Sequence, residues 1–338
     1  MSELRQDPTT YDWVIIARER AKRPWEFKKE DLTRTFFPAH SDSCPFCPGN
    51  EHRTPEAKAV YGEPGDWKTR VVPNRFAALT PGVTAGREEI GPFRKSPGYG
   101  SHEVIIETPR HDHFIPFMDD ADAERVVGVY RDRYHALKKD PDIRTVIILK
   151  NHGRGSGTSI EHPHSQAVAS PIVPPLVRRR YEIAVQYYDN TGRCLYCDIR
   201  DYELRAAERT VSETDYFIVL HPYASRCPFE TWIMPKVHNS SFGNISDDEL
   251  RDLAAVLKQV LLKLYVSLDN PDYNMVVHTA PVDDEHKAYF LWHIQIIPRL
   301  TLPAGFELGS GIYINRALPE ETAAFVRDFE LDSGGTLP

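Results

Sequence analysis

The chain has 338 residues, a size that suits two domains or one large duplicated unit and allows most of its apolar surface to be buried. With 41% hydrophobic and 27% charged residues and a formal net charge of −8, it reads as globular and not as a general nucleic-acid binder. A nucleotide needs only a local basic patch and is not excluded. No apolar run approaches the ~20 residues that a bilayer requires, so no membrane partner is expected.

In chain order, Met1 to Asp7 carry no apolar core of the kind a signal peptide needs, and a cytoplasmic location is expected. Segment 1–40 reads as peripheral. Cys44-Pro45-Phe46-Cys47-Pro48-Gly49 then forms a turn of the zinc-knuckle type. Arg70–Phe76 is predicted as a strand, and a second strand from Glu103 ends in Pro109 and His111. A helix over Ala121–Leu137 and a strand over Thr145–Leu149 follow. The glycine-rich stretch Asn151–Ser159 then leads into His162-Pro163-His164-Ser165-Gln166.

The order then repeats. Cys194 and Cys197 precede a strand over Tyr216–Leu220, and an apolar strand from Glu230 ends in Pro235 and His238. A helix from Asp247 to Leu264 carries Leu250, Leu253, Leu257 and Leu261 on one stripe. The strand Tyr273–Val277 and the motif Leu291-Trp292-His293-Ile294-Gln295 close the half. The cysteine pairs lie 194 − 44 = 150 residues apart; His111 to His164 is 164 − 111 = 53, and His238 to His293 is 293 − 238 = 55. Matching order and spacing predict an α+β protein built by duplication, with halves 1–177 and 178–338 and a hinge near 171–193. Residues after about 328 read as peripheral.

If residues 162–166 are extended, His162, His164 and Gln166 project from one face. Imidazole is largely unprotonated at neutral pH and can act as a nucleophile without an added base. Beside a loop whose glycines let backbone N–H groups approach an anion, that chemistry points to nucleotidyl or phosphoryl transfer through a phospho-histidine. Five cysteines in a cytoplasmic chain argue against a disulfide framework, and the two C-x-x-C pairs read as halves of zinc sites. Cys44, Cys47, His111 and His162 form the first site, holding the nucleophile's own strand in register. Cys194, Cys197 and His238 begin a second, completed by His293, His278 or a water. Leu291 stands there where His162 stands in the first half. Cys227 reads as a buried small hydrophobe.

With Arg20-Ala21-Lys22-Arg23-Pro24-Trp25, Asn74-Arg75-Phe76-Ala77-Ala78-Leu79 and Gly305-Phe306-Glu307 added, the chain resembles the galactose-1-phosphate uridylyltransferase family of the histidine-triad superfamily over nearly its whole length. The resemblance implies two histidine-triad-like halves, with two antiparallel sheets forming a half-barrel with flanking helices, and a homodimer with its active site at the interface. It implies that His164 attacks the α-phosphorus of UDP-glucose and carries UMP, and that a hexose 1-phosphate such as galactose 1-phosphate accepts it. Gln166, where histidine-triad hydrolases have a third histidine, would hydrogen-bond a phosphate oxygen. Asn151, Gly157 and Ser159 would line the phosphates, and Arg20 and Arg23 would contact phosphate, from the partner subunit. Asn74 would contact the nucleotide; Phe306 and Glu307 would face the sugar. Ser165 and the stretch after Glu307 resemble instead a sister branch that transfers adenylyl groups from ADP-glucose to phosphate. An ADP-sugar or a dinucleoside polyphosphate is therefore the alternative donor. A non-catalytic nucleotide-binding protein is the remaining alternative.

Overall fold

The computed structural model describes residues 1–18, 23–27, 37–82 and 86–331. Strands β1 (Glu3–Gln6) and β2 (Trp13–Ile16) open the chain, followed by β3 (Ala59–Glu63), β4 (Asp66–Pro73), the exposed hairpin β5 (Glu88–Ile90) and β6 (Phe93–Lys95), and β7 (Ser101–Ile106). Helix α1 (Asp120–Leu137) leads to β8 (Thr145–His152) and β9 (His164–Ser170). Helices α2 (Pro175–Thr191) and α3 (Leu195–Ala206) begin the second half, which continues with β10 (Thr210–Glu213), β11 (Phe217–Leu220) and β12 (Thr231–Pro235). Then come α4 (Asp247–Leu268), β13 (Tyr273–His278), β14 (His293–Pro298), α5 (Gly305–Ser310), β15 (Tyr313–Asn315) and α6 (Pro319–Asp328).

The fold is α+β, as the repeat predicts, and the sheet displays the duplication directly. Its order is β10-β11-β12-β14-β13-β8-β9-β7-β4-β3, antiparallel at every pairing. Read inward from either edge, the two halves place equivalent strands in the same sequence. The two expected sheets are therefore one continuous sheet, joined where β8 pairs with β13 through Leu149↔Val276 and Asn151↔Asn274.

Strand side chains alternate, so each face collects one parity of every strand. Val71, Ile105, Ile148, Met275, Val277, Ile294 and Ile296 face α1 and α4 and join them in the main core. Leu250, Leu253, Leu257, Leu261 and Leu264 supply the buried stripe of α4, each stabilising by about 1.5–3 kcal/mol on full burial. Reciprocal bonds between Ser246 and Glu249 cap α4, and the Asp119 carboxylate accepts from Asp122 N–H at the start of α1. The other face of the sheet carries His164, Gln166 and their counterparts.

The N-terminal segment is less peripheral than its composition suggests. β1 and β2 form a small sheet with β15 from the far end of the chain. Val14 and Ile16 are buried against Ala224, and the Arg5 guanidinium meets the Glu320 carboxylate at 2.8 Å. Among the described residues, no helix is long and apolar enough to cross a membrane.

Candidate active site and metal centres

The Cys44–Cys47 turn, the residues after β7 and the start of β9 converge on one point. Cys44, Cys47, His111 and His162 are all buried, and their ligand atoms lie within 4.8 Å of one another. Cys47 Sγ stands 3.5 Å from both His111 Nδ1 and His162 Nδ1. His162 Nε2 lies 2.7 Å from the Thr108 carbonyl; donating there, it turns Nδ1 and its lone pair toward the cysteines. The N–H groups of Ser41 and Phe46 donate to Cys47 Sγ and Cys44 Sγ. Burial pushes the His162 imidazole down to about 4 and keeps it in the neutral, ligating form. A Cys2His2 set of this kind fits a structural metal ion.

Two residues beyond His162, His164 is buried, with Phe46 of the Cys44–Cys47 turn packed on its ring at 5.3 Å. Its Nδ1 lies 2.8 Å from the His162 carbonyl, an acceptor, so Nδ1 carries the proton and Nε2 is left with a bare lone pair. Burial, aided by the nearby Lys150 ammonium, holds the ring below the usual histidine range. The arrangement leaves a neutral imidazole, oriented by backbone, with Nε2 chemically able to attack an electrophile.

On the helix side of the same strand lies a polar group that sequence reasoning missed. Lys150 Nζ donates to Glu107 Oε2 at 2.6 Å and to the His164 carbonyl at 3.3 Å. Tyr130 Oη donates to Glu107 Oε1, and the Ser165 hydroxyl bonds both. All four side chains are buried. Lys150 and the opposite charge of Glu107 sit in apolar strand sequence at the parity of Ile148 and Val146, which was the available signal.

His102 was also missed. Ala78 N–H donates to its Nδ1, which places the proton on Nε2, and Nε2 lies 2.6 Å from Gln166 Oε1. The Gln166 carbonyl is thereby held by a donor, leaving its NH2 as the face that can serve a phosphate oxygen. Asn74 adjoins the group, with Nδ2 at 3.1 Å from His102 Nε2 and Oδ1 accepting from Phe76 N–H. His102 shares a face with Gln166 by strand alternation, so register alone would have found it.

The glycine-rich loop differs from expectation in one respect. Gly155 N–H donates to Asp272 Oδ2 at 2.7 Å, and a Cβ on Gly153 would lie 1.9 Å from Asp272 Oδ1. Two of the glycines thus admit a carboxylate of the second half. Gly157 (φ +91°) and Ser159 are exposed further along the loop. Asn151 Oδ1 accepts from Asn274 Nδ2 at 2.7 Å and, with His164, lines a cleft of about 360 Å3.

Arg23 is exposed, its guanidinium over the Trp25 ring, and Arg20 lies outside the described residues. Phe306 and Glu307 belong to α5; Phe306 is half exposed and Glu307 Oε2 accepts from Ala304 N–H. Neither lines the His164 cleft of its own chain.

The second group able to hold a metal contains Cys194, Cys197 and His238, with Cys197 Sγ 3.2 Å from His238 Nδ1. His293 is not part of it, a correction to the expected ligand set. Its ring is stacked on Trp232 at 4.8 Å, with Nδ1 against the Leu291 carbonyl, so it repeats the pose of His164 and not that of His162. The His162 position is filled by buried Leu291. His278 is also elsewhere, bonded to Gln295. Cys227 is only partly buried.

Family models for the galactose-1-phosphate uridyl transferase N-terminal and C-terminal domains match residues 1–174 and 180–305. An ADP-glucose phosphorylase of Arabidopsis thaliana is 36% identical over 97% of this chain and 93% of its own length. A galactose-1-phosphate uridylyltransferase of Thermotoga maritima is 30% identical over 98% and 100%. The crystal structure of an Arabidopsis thaliana ADP-glucose phosphorylase with bound ADP-glucose superposes with a TM-score of 0.83 at 32% identity, covering 98% of this chain and 100% of that one.

Proposed function

Since the chain belongs to the galactose-1-phosphate uridyl transferase family and is a nucleotidyltransferase, we propose that it works by double displacement through His164, with UDP-glucose as donor and a hexose 1-phosphate as acceptor. The observation that carries the mechanism is the His164 Nδ1–His162 carbonyl bond, which leaves Nε2 unprotonated. Nε2 forms a bond to the α-phosphorus as the bond to the bridging oxygen breaks, and the electron pair leaves on the sugar 1-phosphate. An acceptor phosphate oxygen then displaces His164 and restores it. The leaving group is already a stable anion, so Gln166 is not required to supply a proton. Its NH2, aimed by His102, stabilises a non-bridging oxygen. Asn151, Gly157, Ser159 and Asn74 complete the donor site in this reading.

The Cys44, Cys47, His111, His162 set would hold Zn2+, whose contribution is to fix the turn and the start of β9. Cys194, Cys197 and His238 would hold a second ion with a fourth position open. Arg20, Arg23, Phe306 and Glu307 act from the partner of a homodimer, consistent with the absence of Phe306 and Glu307 from the cleft of their own chain. A cytoplasmic location and the division at 177/178 belong to the same reading, the latter supported by the strand order.

A second reading, adenylyl transfer from ADP-glucose to phosphate, is favoured by the 36% identity and by the 0.83 superposition. Intact mass after mixing with UDP-glucose or ADP-glucose, without acceptor and under non-acidic conditions, separates the two. A uridylyl adduct lost in His164→Ala supports the first and an adenylyl adduct the second. Turnover retained in full by His164→Ala would overturn both.

A further inference from the structure

The register maps the His164 site onto the second half, position by position. Gln166 pairs with Val104 of β7 and Leu149 of β8; Gln295 pairs with Trp232 of β12 and Val276 of β13. Two residues along each neighbouring strand, Glu230 therefore stands for His102 and His278 for Asn151, while His293 stands for His164. The bond from His102 to Gln166 has its counterpart in Gln295 Nε2 donating to Glu230 Oε1 at 2.7 Å.

The nucleophile's counterpart is sealed: His293 is wholly buried between Trp232 and Tyr196. Beside it, however, the equivalent face is hollow, with a cavity of about 480 Å3. That volume lies in the range of small-ligand sites. Arg180 of α2 reaches its wall at 2% exposure. One Nη donates to His278, His278 Nε2 lies 2.8 Å from Gln295 Oε1, and the chain ends on Glu230, which also accepts from Trp232 Nε1 and Arg226 N–H. Among the described residues Arg180 Nε has no acceptor. A buried guanidinium whose bonds run through neutral His278 and Gln295 before they reach Glu230 is costly, and an anion in the adjoining cavity would offset its charge.

The rest of the wall fits such an anion. Arg226, Arg299 and Arg316 also line the cavity, outnumbering its carboxylates Glu230 and Glu307; Arg226 is held by Asp12, and Arg299 Nε donates to a neutral acceptor, Asn274 Oδ1. Leu176, Val276 and Ile297 form an apolar side.

We propose that this cavity, the converted counterpart of the transfer site, is a second ligand site that binds a phosphate monoanion or dianion, free or as a sugar ester, through Arg180 with Arg226 and Arg299. The forked guanidinium suits the tetrahedral oxygens, and the apolar wall receives the body of an ester.

Calorimetric titration and thermal melts of the metal-loaded protein with inorganic phosphate, and separately with glucose 1-phosphate, test it in the parent chain, in Arg180→Met and in Arg180→Lys. Arg180→Met is expected to bind one phosphate fewer per chain and to lose part of the ligand-induced rise in Tm. Without ligand its Tm should hold or rise, since a buried charge has gone. Unchanged stoichiometry and an unchanged ligand-induced shift overturn the proposal. Should Arg180→Met not fold, Arg180→Lys decides: at least tenfold weaker binding at one site supports the fork, and unchanged affinity at every site overturns it. Equal affinity for both probes identifies phosphate alone as the ligand, whereas a tenfold preference for glucose 1-phosphate identifies the ester.

Discussion

The Lys150 side chain has about 1% exposure in the middle of a β-sheet, tolerable only because Glu107 and the His164 carbonyl accept hydrogen bonds from its Nζ. Truncating one member of a buried pair leaves the other uncompensated, at a cost of about 3–5 kcal/mol. Lys150→Met should therefore lower the denaturant midpoint by that equivalent, and the double variant with Glu107→Gln should recover a large part of the loss. His102 acts more narrowly. His102→Ala removes the donor that orients the Gln166 amide, so kcat should fall about tenfold with little change in KM, the signature of an interaction made in the transition state. His102→Asn, able to donate from Nδ2, should restore part of it; equal losses in both variants would mean that His102 serves packing alone.

Among the elements, α6 is tied to the sheet by His221, whose Nδ1 lies 2.7 Å from Thr322 Oγ1. Complete burial pushes this imidazole down to about 3, so the fold favours the neutral ring. A depressed histidine contributes its full share of stability above the unfolded value near 6.5 and loses it as pH falls toward 3. Tm should consequently drop between pH 6 and 4, and His221→Gln should flatten that slope while starting lower at pH 7. At the knuckle, Cys44→Ser should release one metal ion per chain, measured by elemental analysis, and lower transfer at His164 through loss of the anchor at the start of β9. Much at this scale was legible beforehand. The 150-residue cysteine offset and the two helix patterns located α1 and α4 to within a few residues, because apolar periodicity and capping are local signals. The clustering of Cys44, Cys47, His111 and His162 was legible because C-x-x-C and paired histidines bring their chemistry with them. His293 was misplaced as a ligand because alignment fixes a position along a strand but not the contacts of its ring, and that ring stacks on Trp232. Lys150, Glu107 and His102 were missed because their partners come from strands whose register no single segment encodes. The helix over Phe306 and Glu307 was hidden by its length of six residues, too short to show a period.

For the molecule as a whole, the join between β8 and β13 decides how it unfolds. Asn274 Nδ2 donates both to Asn151 Oδ1 and to the Ser156 carbonyl, and the main core draws on both halves. Calorimetry should show one cooperative transition; two resolved transitions would mean that the halves are energetically separate. Fragment 1–177 alone should expose the β8 edge and self-associate through it, visible as dimers or aggregates by light scattering. The small sheet of β1, β2 and β15 sets a different constraint, one of time. Trp13–Ile16 leave the ribosome well before their parallel partner Tyr313–Asn315. At ~5–20 residues per second, the roughly 300 intervening residues take on the order of 15–60 s to synthesise. Throughout that interval β2 lacks its parallel partner, so the nascent chain carries a half-paired strand whose Val14 and Ile16 are incompletely covered. Its protection falls to whatever shields emerging polypeptides until β15 arrives.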